Sequence, residues 1–210
     1  MQVELRTYNK QDFKSLQDIV RVTWNYDKFC TPETADKLAA VFLSSCLTNH
    51  TFSRVAIVNG SVAGIILVKN IKNHHCPLSL RFKQIKSLLS LYLSKEGRSV
   101  MKIFENVSGI DKILLEESRK SYPAELALFV IDPNCRGNGV GKRLFQSALA
   151  YMESQQLSQF YLFTDTSCNY GFYEHQGMTR RCEKDHMIDM NNQKERMKFF
   201  IYDFSLSSTG

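Results

Sequence analysis

The sequence predicts a mixed α/β domain in which helices flank a largely antiparallel β-sheet. Three observations favour this fold: apolar segments of strand length recur along the chain, a hairpin signal links two of them, and a strand–helix–strand crossover spans about 125–163. The hairpin signal is Asn59-Gly60 between apolar runs at 54–58 and 62–68, a dipeptide that favours a tight antiparallel turn. The predicted order of elements is β-α-α-β-β, a helical insert, and then β-α-β-α-β-β.

The N-terminal segment is predicted to supply the first strand and two helices. Alternating apolar residues predict a strand at about 2–8, and Asp12 is a candidate N-cap for the helix that follows. Thr31 and Pro32 open the second helix, because Thr is a favoured N-cap and Pro fits the first helical position.

An insert at about 70–121 separates the hairpin from the crossover. Apolar residues at helical spacing predict two or three helices in it. We expect the insert either to cover a substrate cleft or to form a homodimer contact. Basic residues in and beside it include Lys69, Lys72, Arg81, Lys83, Lys86, Lys95, Arg98 and Lys102.

The C-terminal part begins with a nearly continuous apolar segment at 125–131, which is typical of a buried central strand. A glycine-rich loop and a helix follow it. The remaining predicted elements are that helix, which runs to about Gln156, a strand at 160–163, a short helix at 169–176 with Gly177 as its C-terminal cap, and strands at 178–190 and 197–204 joined by Asn191-Asn192.

Length and composition are those of one globular domain. The chain has 210 residues, of which 43% are apolar and 23% charged, and we predict a single domain over 1–206 with a frayed tail at 207–210. No apolar run is long enough to cross a bilayer, and the first ten residues are too polar for a signal peptide. We therefore expect a cytoplasmic protein without a membrane partner.

Cysteine spacing and net charge further narrow the possible functional classes of the protein. The six cysteines form no C-x-x-C pair, so we expect free thiols and no metal site. The net charge of +6 suits either nucleic acid or a polyanionic cofactor. Nucleic-acid binding is the least favoured alternative, because the basic insert lacks interleaved exposed aromatic residues of the stacking type.

A glycine-rich loop at 136–143 directly follows the predicted central strand and opens a helix. It reads RGNGVGKR. Glycines permit positive φ and close approach of a ligand, and the free N–H groups of a first helical turn form an anion site. Neither the dinucleotide fingerprint nor the P-loop fits, because Lys142 replaces the third glycine of the first and Arg143 replaces the hydroxyl residue of the second.

The pattern that does fit is found in the GCN5-related N-acetyltransferases, the GNAT superfamily. Residues 131–141, IDPNCRGNGVG, resemble the acyl-CoA loop of that family, in which a strand ending in V/I-x-P-x-x-R is followed by x-x-G-x-G. Residues 169–178, NYGFYEHQGM, resemble its N-x-x-F-Y-E-x-x-G-F helix, with Met178 in place of the final Phe. The resemblance covers 124–180 and implies a GNAT-like acyl-CoA N-acyltransferase fold. The insert departs from it, because the family often joins the flanking strands by a short turn.

The resemblance implies acetyl-CoA as co-substrate and assigns its contacts. Backbone groups of Phe129, Val130 and Ile131 would pair with the pantetheine arm as an added strand does. Lys142 and Arg143 would either add charge near the phosphates or form a solvated helix face. The N–H groups expected to hold the pyrophosphate are those of Arg136, Gly137, Asn138, Gly139, Val140 and Gly141, and Asn169 would reach the pantetheine or the region near the thioester.

The same resemblance assigns the proton-transfer roles. Tyr173 is the candidate general acid for the departing thiolate, and the alternative is a tyrosine that packs in the core. Glu125, at the start of the cofactor strand, is the candidate base through waters, and the alternative is a surface charge; Asp165 is a weaker candidate. Cys135 and Cys168 have no evident base partner, so we expect direct transfer in a ternary complex.

Trp24, Tyr26 and Asp27 lie between the first two helices, in a loop that commonly lines the acceptor pocket of this family. Asp27 would attract the amine and Trp24 would stack on it, or Trp24 would simply pack on the core. The resemblance thus implies an N-acetyltransferase acting on a primary amine of a small molecule or peptide. The alternative is a noncatalytic acyl-CoA sensor on the same fold.

Overall fold

A computed structural model describes residues 2–190 and 193–206 of the chain. Within these ranges it contains seven strands and six α-helices. The strands are β1 (Val3–Arg6), β2 (Phe52–Val58), β3 (Ser61–Asn70), β4 (Ala124–Ile131), β5 (Gln159–Asp165), β6 (Thr179–Met190) and β7 (Gln193–Ser205). The helices are α1 (Phe13–Thr23), α2 (Pro32–Thr48), α3 (Leu78–Tyr92), α4 (Lys95–Glu117), α5 (Val140–Ser154) and α6 (Gly171–His175).

The seven strands form one mixed sheet in the order β1-β2-β3-β4-β5-β7-β6. Neighbouring strands are antiparallel except β4 and β5, which are parallel because α5 crosses over between them. The predicted fold class and element order are therefore confirmed, and the insert consists of the two helices α3 and α4. The predicted turn Asn191-Asn192 and the tail at 207–210 lie outside the described residues.

Asp12 and Thr31 occupy the predicted N-cap positions of α1 and α2, but the side chain of each bonds to a partner outside the helix that it precedes. Asp12 makes no side-chain cap bond to α1, since its carboxylate pairs with Arg6 at 2.6 Å and accepts the N–H of Asn9 at 2.7 Å. Thr31 makes no side-chain cap bond to α2, and its hydroxyl donates to Glu96 of α4 at 2.6 Å. The bond from Thr31 ties the insert to the start of α2.

Helices cover both faces of the sheet. On one face α5 buries Leu144, Phe145 and Ala148 against the strands. On the other face α1 and α2 pack on β2–β4, and α4 continues the layer. Val100 of α4 belongs to the cluster around α1 and α2, whereas Ile110 packs with residues of β5–β7. The helix α4 thus spans the sheet from its N-terminal half to its C-terminal half.

The sheet opens between β4 and β5. The two strands pair only at their first residues, where Ala124 aligns with Phe160 and Glu125 with Tyr161. Beyond that point 126–131 of β4 remains paired to β3 and 162–165 of β5 remains paired to β7, but the facing edges diverge. We call this opening the wedge, and it ends at the glycine-rich loop.

Candidate functional site

The glycine-rich loop caps α5 in an unusual backbone conformation. Gly137 and Gly139 have φ angles of +78° and +75°, and Gly139 is the N-cap of α5. A Cβ added to either residue would meet no atom within 4 Å. These glycines are therefore required by backbone conformation, and the space above them is open to a ligand.

The amide groups of this loop are available for an anion. Among the described residues, no acceptor is bonded to the N–H groups of 137–142, and Arg143 N is the first to donate along the helix, to Gly139 O at 3.1 Å. Unpaired N–H groups at a helix N-terminus, together with the helix dipole, form an anion site. Arg136 differs from its predicted role, because its N–H donates back to Pro133 O at 3.4 Å.

Gly141 has a different purpose from the two open glycines. A Cβ at this position would lie 2.8 Å from Ile131 Cδ1 and 3.6 Å from Phe129 Cζ. The absence of a side chain therefore lets the first turn of α5 pack directly on the end of β4. This contact brings the loop amides to the open end of the wedge.

The edge of β4 that faces the wedge exposes the backbone of alternate residues. Asp132 N donates to Ala63 O of β3, and Val130 O lies 2.5 Å from where a Cβ on Gly64 of β3 would stand. Because strand amides alternate between the two edges, the backbone groups of Phe129 and Ile131 point toward β5. Val130 is therefore directed to β3, which corrects its predicted place among the residues that pair with pantetheine.

Tyr173 lies on α6 beside this edge. Its ring centroid is 6.4 Å from that of Phe129, and burial strongly raises its pKa, with a smaller contribution from Cys168 and Asp165. No hydrogen bond is formed by its hydroxyl within the described part of the chain. The phenol is thus neutral and free to donate a proton. Asn169, two residues before α6, has an exposed side chain at the same end of the wedge.

A cavity of about 1030 Å³ lies beneath the insert, on the face of the sheet opposite α5. Its floor is formed by β4, β5 and β7, one wall by α2, and another by α4 of the insert. Glu125 and Asp165 line this cavity, so it reaches both sides of the wedge. Two roles were considered for the insert, a cover over a substrate cleft and a dimer contact. The position of α4 agrees with the first.

Three carboxylates line this cavity, and two of them, Glu125 and Asp165, act electrostatically on the third, Asp111. Burial raises the pKa of Glu125, an effect opposed by Lys69 and by Asn49, whose Nδ2 donates to Glu125 Oε2 at 3.2 Å. Burial, with repulsion from Asp165 and Glu125, raises the pKa of Asp111 to about 7. A carboxylate whose pKa approaches neutrality is suited to accept a proton at physiological pH.

Asp111 was missed in the sequence, although its spacing contains a signal. It lies four residues after Val107 and three before Leu114, both of which face the core from α4. Residues at these spacings share a helix face, so Asp111 is an acidic residue on the inward side of the insert. Which other carboxylates it meets depends on tertiary packing and cannot be read from that spacing.

The three residues predicted to line the acceptor pocket differ in position. Trp24 and Tyr26 line the cavity, with Trp24 packed on Phe42 at a centroid distance of 4.8 Å. Asp27 does not line it, and its carboxylate accepts a hydrogen bond from Arg21 Nε at 2.8 Å. The structure therefore gives Asp27 no contact through which to attract an amine in the cavity.

The thiols near the site are poor nucleophiles. Burial raises the pKa of Cys168 to about 11, and burial also raises the pKa of Cys135. All six cysteines are free. In the described ranges, no group of three or more His, Cys, Asp or Glu side chains could hold a metal ion. No helix there combines the length and apolar character of a membrane span.

The fold recurs in solved structures of low sequence identity. A protein assigned as a phosphinothricin N-acetyltransferase shares 18% identity, with 99% of this chain and 100% of that chain covered and a TM-score of 0.57. An N-acetyltransferase from Staphylococcus aureus Mu50 shares 13%, with 98% and 99% covered and a TM-score of 0.57. The ribosomal-protein-S18-alanine N-acetyltransferase from Escherichia coli shares 12%, with 100% and 97% covered and a TM-score of 0.56.

Sequence comparison extends this likeness from fold to family. No curated protein matches the chain. The acetyltransferase (GNAT) family, however, matches residues 15–178, which include the wedge, the glycine-rich loop and α6. That family uses acetyl-CoA. The match covers most of the chain, and the sheet opens between β4 and β5 beside a set of unpaired amides. This chain therefore belongs to the acetyltransferase (GNAT) family and is an acyltransferase.

Proposed function

We propose that the protein transfers an acetyl group from acetyl-CoA to a primary amine of a small molecule or peptide, by direct attack in a ternary complex. The observation that supports this most directly is the run of unpaired amides at 137–142, which adjoins the free edge of β4. A diphosphate and an amide-bearing arm need these two features side by side.

The chain's own groups would position the co-substrate. The N–H groups of 137–142 would hold the diphosphate, and Lys142 or Arg143 would add positive charge nearby. Phe129 and Ile131 would offer backbone donors and acceptors to the pantetheine amides. Acetyl-CoA supplies the activated thioester when bound, and a free N–H on the same edge would stabilise the oxyanion that develops on its carbonyl.

Two groups would move the protons. An ammonium ion must lose a proton before its nitrogen can attack, and Glu125, whose pKa is raised by burial, is the proposed base. Asp165 is the alternative, because its charge acts on both Tyr173 and Cys168. Tyr173 would donate its proton to the leaving thiolate as the carbon–sulfur bond breaks, and the acetyl group would remain on the amine.

The reaction is tested by free-thiol release from acetyl-CoA with a panel of polyamines, aminoglycosides, amino acids and peptide N-termini. Turnover with one or more amines is the expected result. Comparison of Glu125→Gln with Asp165→Asn separates the two candidate bases, because only loss of the true base removes the acid limb of the pH–rate profile. A protein that binds CoA tightly but releases no thiol with any amine would be a noncatalytic sensor.

The role of Tyr173 has its own test. We expect Tyr173→Phe to lower kcat by roughly a hundredfold, a typical loss for a general acid, while CoA affinity stays nearly unchanged. Tyr170→Phe is the matched control, because Tyr170 lies in the same segment and packs on Phe200 at a centroid distance of 5.1 Å. Thiol-release kinetics and calorimetric CoA titration measure the two quantities. An unchanged kcat in Tyr173→Phe would leave this tyrosine a packing role only.

A further inference from the structure

We propose that Asn49, the C-cap residue of α2, is a positioning residue for the proposed base: its side-chain amide holds the Glu125 carboxylate in place, while Lys69 of β3 stabilises its charge. This inference rests on the proposed function, because it concerns the same base. Both residues lie outside 124–180, the segment that carries the sequence motifs of the site.

Glu125 lies in a row of side chains that crosses three strands. Lys69 of β3 and Tyr161 of β5 are its partners in the two adjacent strand pairs. Residues next to these three in sequence belong to the core cluster around α5: Val68, Ala124, Leu126, Phe160 and Leu162. Because side chains alternate along a strand, the row points to the opposite face, which α2 covers. The register of the sheet thus places an ammonium group and a phenol on either side of the carboxylate.

The Asn49 side chain reaches this row from α2. Its Nδ2 donates to Glu125 Oε2 at 3.2 Å, and both residues line the cavity beneath the insert. A hydrogen bond donated to a carboxylate favours the ionised form over the protonated one. The bond therefore has two effects, since it fixes the orientation of the carboxyl group and favours the state that can accept a proton.

The backbone around Asn49 is anchored on both sides. Asn49 N donates to Cys46 O at 3.0 Å and so ends α2, and two residues later Thr51 N donates to Val68 O of β3 at 2.8 Å. The cap bond of Asn49 uses only its backbone, so its side chain is left for Glu125. A donor on so short and doubly anchored a segment is held at a fixed position relative to the sheet.

Two histidines hold the last turn of α2 from which Asn49 extends. His50 Nδ1 donates to Leu47 O at 2.6 Å. His74 Nε2 donates to Thr48 O at 2.8 Å. The last carbonyls of a helix lack partners within it, so these bonds satisfy two of them. Because His74 belongs to the insert, the start of the insert also helps to fix the end of α2.

Titratable groups from five parts of the chain interact with Glu125. They are Cys46 of α2, Lys69 of β3, His74 before α3, Asp111 of α4 and Tyr161 of β5. Burial raises the pKa of Glu125, and Lys69 opposes this shift most, followed by the Asn49 amide. Without either residue, Glu125 should therefore remain protonated to a higher pH.

The first test is the pH dependence of thiol release with the best amine of the panel. Asn49→Leu removes the amide donor at similar volume. We expect the acid limb of its kcat/KM profile to move to higher pH by about one unit. We also expect kcat above the limb to fall about tenfold, because the base loses its orientation, while KM for acetyl-CoA stays unchanged. Lys69→Met should move the limb in the same direction.

Conservative variants distinguish these roles from general effects on the fold. Asn49→Gln keeps an amide donor and Lys69→Arg keeps the charge, so each should restore most of the parental profile. Gln84→Leu is the matched control, because Gln84 lines the same cavity and its Nε2 donates to Ser45 Oγ of α2 at 3.2 Å. Its acid limb should not move. An acid limb that also stays in place in Asn49→Leu would overturn the inference.

Direct titration of Glu125 separates failure of this inference from failure of the proposed function. Carboxyl NMR of protein labelled with carbon-13 glutamate follows ionisation without turnover, and Glu125→Gln identifies the signal. We expect the pKa of Glu125 to rise by about one unit in Asn49→Leu and in Lys69→Met. The same shifts without thiol release from any amine would contradict the acetyltransferase reaction and support the assignment of Asn49 and Lys69. An unchanged pKa of Glu125 in Asn49→Leu would overturn the inference whether or not the reaction occurs.

Discussion

Gly139 combines two requirements that a single substitution can separate. Its φ of +75° favours glycine or asparagine, and the space beyond its Cα is where a diphosphate would lie. We expect Gly139→Asp to weaken CoA binding by roughly a hundredfold, about 2.7 kcal/mol, because its carboxylate would repel the phosphates. Calorimetric titration with CoA measures the loss.

Gly139→Asn is the matched control for this substitution. Asparagine has nearly the shape of aspartate and tolerates a left-handed backbone, but it has no charge. We expect it to keep most of the CoA affinity. Equal affinities for the Asp and Asn variants would show that the diphosphate does not bind at this loop.

Asp111 should make the stability of the unliganded protein depend on pH. Its pKa rises from 3.8 to about 7 on folding, so between these values the native state binds more protons than the unfolded state. The free energy of unfolding therefore falls as pH rises through this window, and the loss is complete above pH 7. The cause is burial of a negative charge beside Asp165 and Glu125.

Asp111→Asn removes the ionising group and should flatten this dependence. We expect the variant to be more stable than the parent at pH 8, by about 1–3 kcal/mol, and equal to it near pH 4. Urea unfolding at pH 4, 6 and 8 measures the difference. A variant that is less stable than the parent at pH 8 would contradict the predicted sign.

Among the elements, the crossover from β4 to α5 was predicted from sequence almost as it folds. The motif there is local: a strand, a proline turn and three glycines specify both the backbone and the open amides. Asp12 and Thr31 stand at the predicted N-caps of α1 and α2, but their side chains bond to Arg6 of β1 and Glu96 of α4 rather than to the helix amides. Local patterns therefore succeed where the local chain supplies all the partners.

The outer face of α3 is the strongest remaining candidate for the homodimer contact considered from the sequence. Leu78, Phe82 and Leu89 are 76%, 71% and 60% exposed, and Ile85 and Tyr92 complete a 4-3-4-3 spacing. Such a spacing forms the apolar seam of paired helices. Because the seam is continuous along one helix, two copies of the chain can bury it symmetrically.

We expect the purified protein to self-associate through this seam at micromolar concentration. The double substitution Phe82→Glu and Leu89→Glu should yield a monomer in sedimentation velocity. A dimer of this variant would have to bury two carboxylates from each copy in the seam. Ser79→Glu, an exposed change on α3 outside the seam, is the control. A parent protein that sediments as a monomer at every concentration would contradict the expectation.

At the scale of the whole molecule, the sheet consists of two halves that meet weakly. The strands β1–β4 and β5–β7 share only the pairs at Ala124 and Glu125, and α4 packs across both. The sequence predicted each half and left open whether the insert covers a cleft, but it did not specify the cavity that forms there. That cavity depends on how far β4 and β5 diverge and on where the insert lies, which are properties of long-range packing rather than of any local pattern.

This divided sheet predicts how CoA should change the molecule. An arm bound in the wedge would replace the missing strand contacts, so Phe129 and Ile131 amides should gain protection from hydrogen exchange along with the loop amides at 137–142. At a concentration 100 times its Kd, CoA should also stabilise the protein by about 2.7 kcal/mol. ADP, which has a diphosphate but no pantetheine arm, should protect the loop alone. If CoA protects the loop without any change at Phe129 and Ile131, the pantetheine arm lies outside the wedge. The two halves of the sheet would then remain joined only at Ala124 and Glu125.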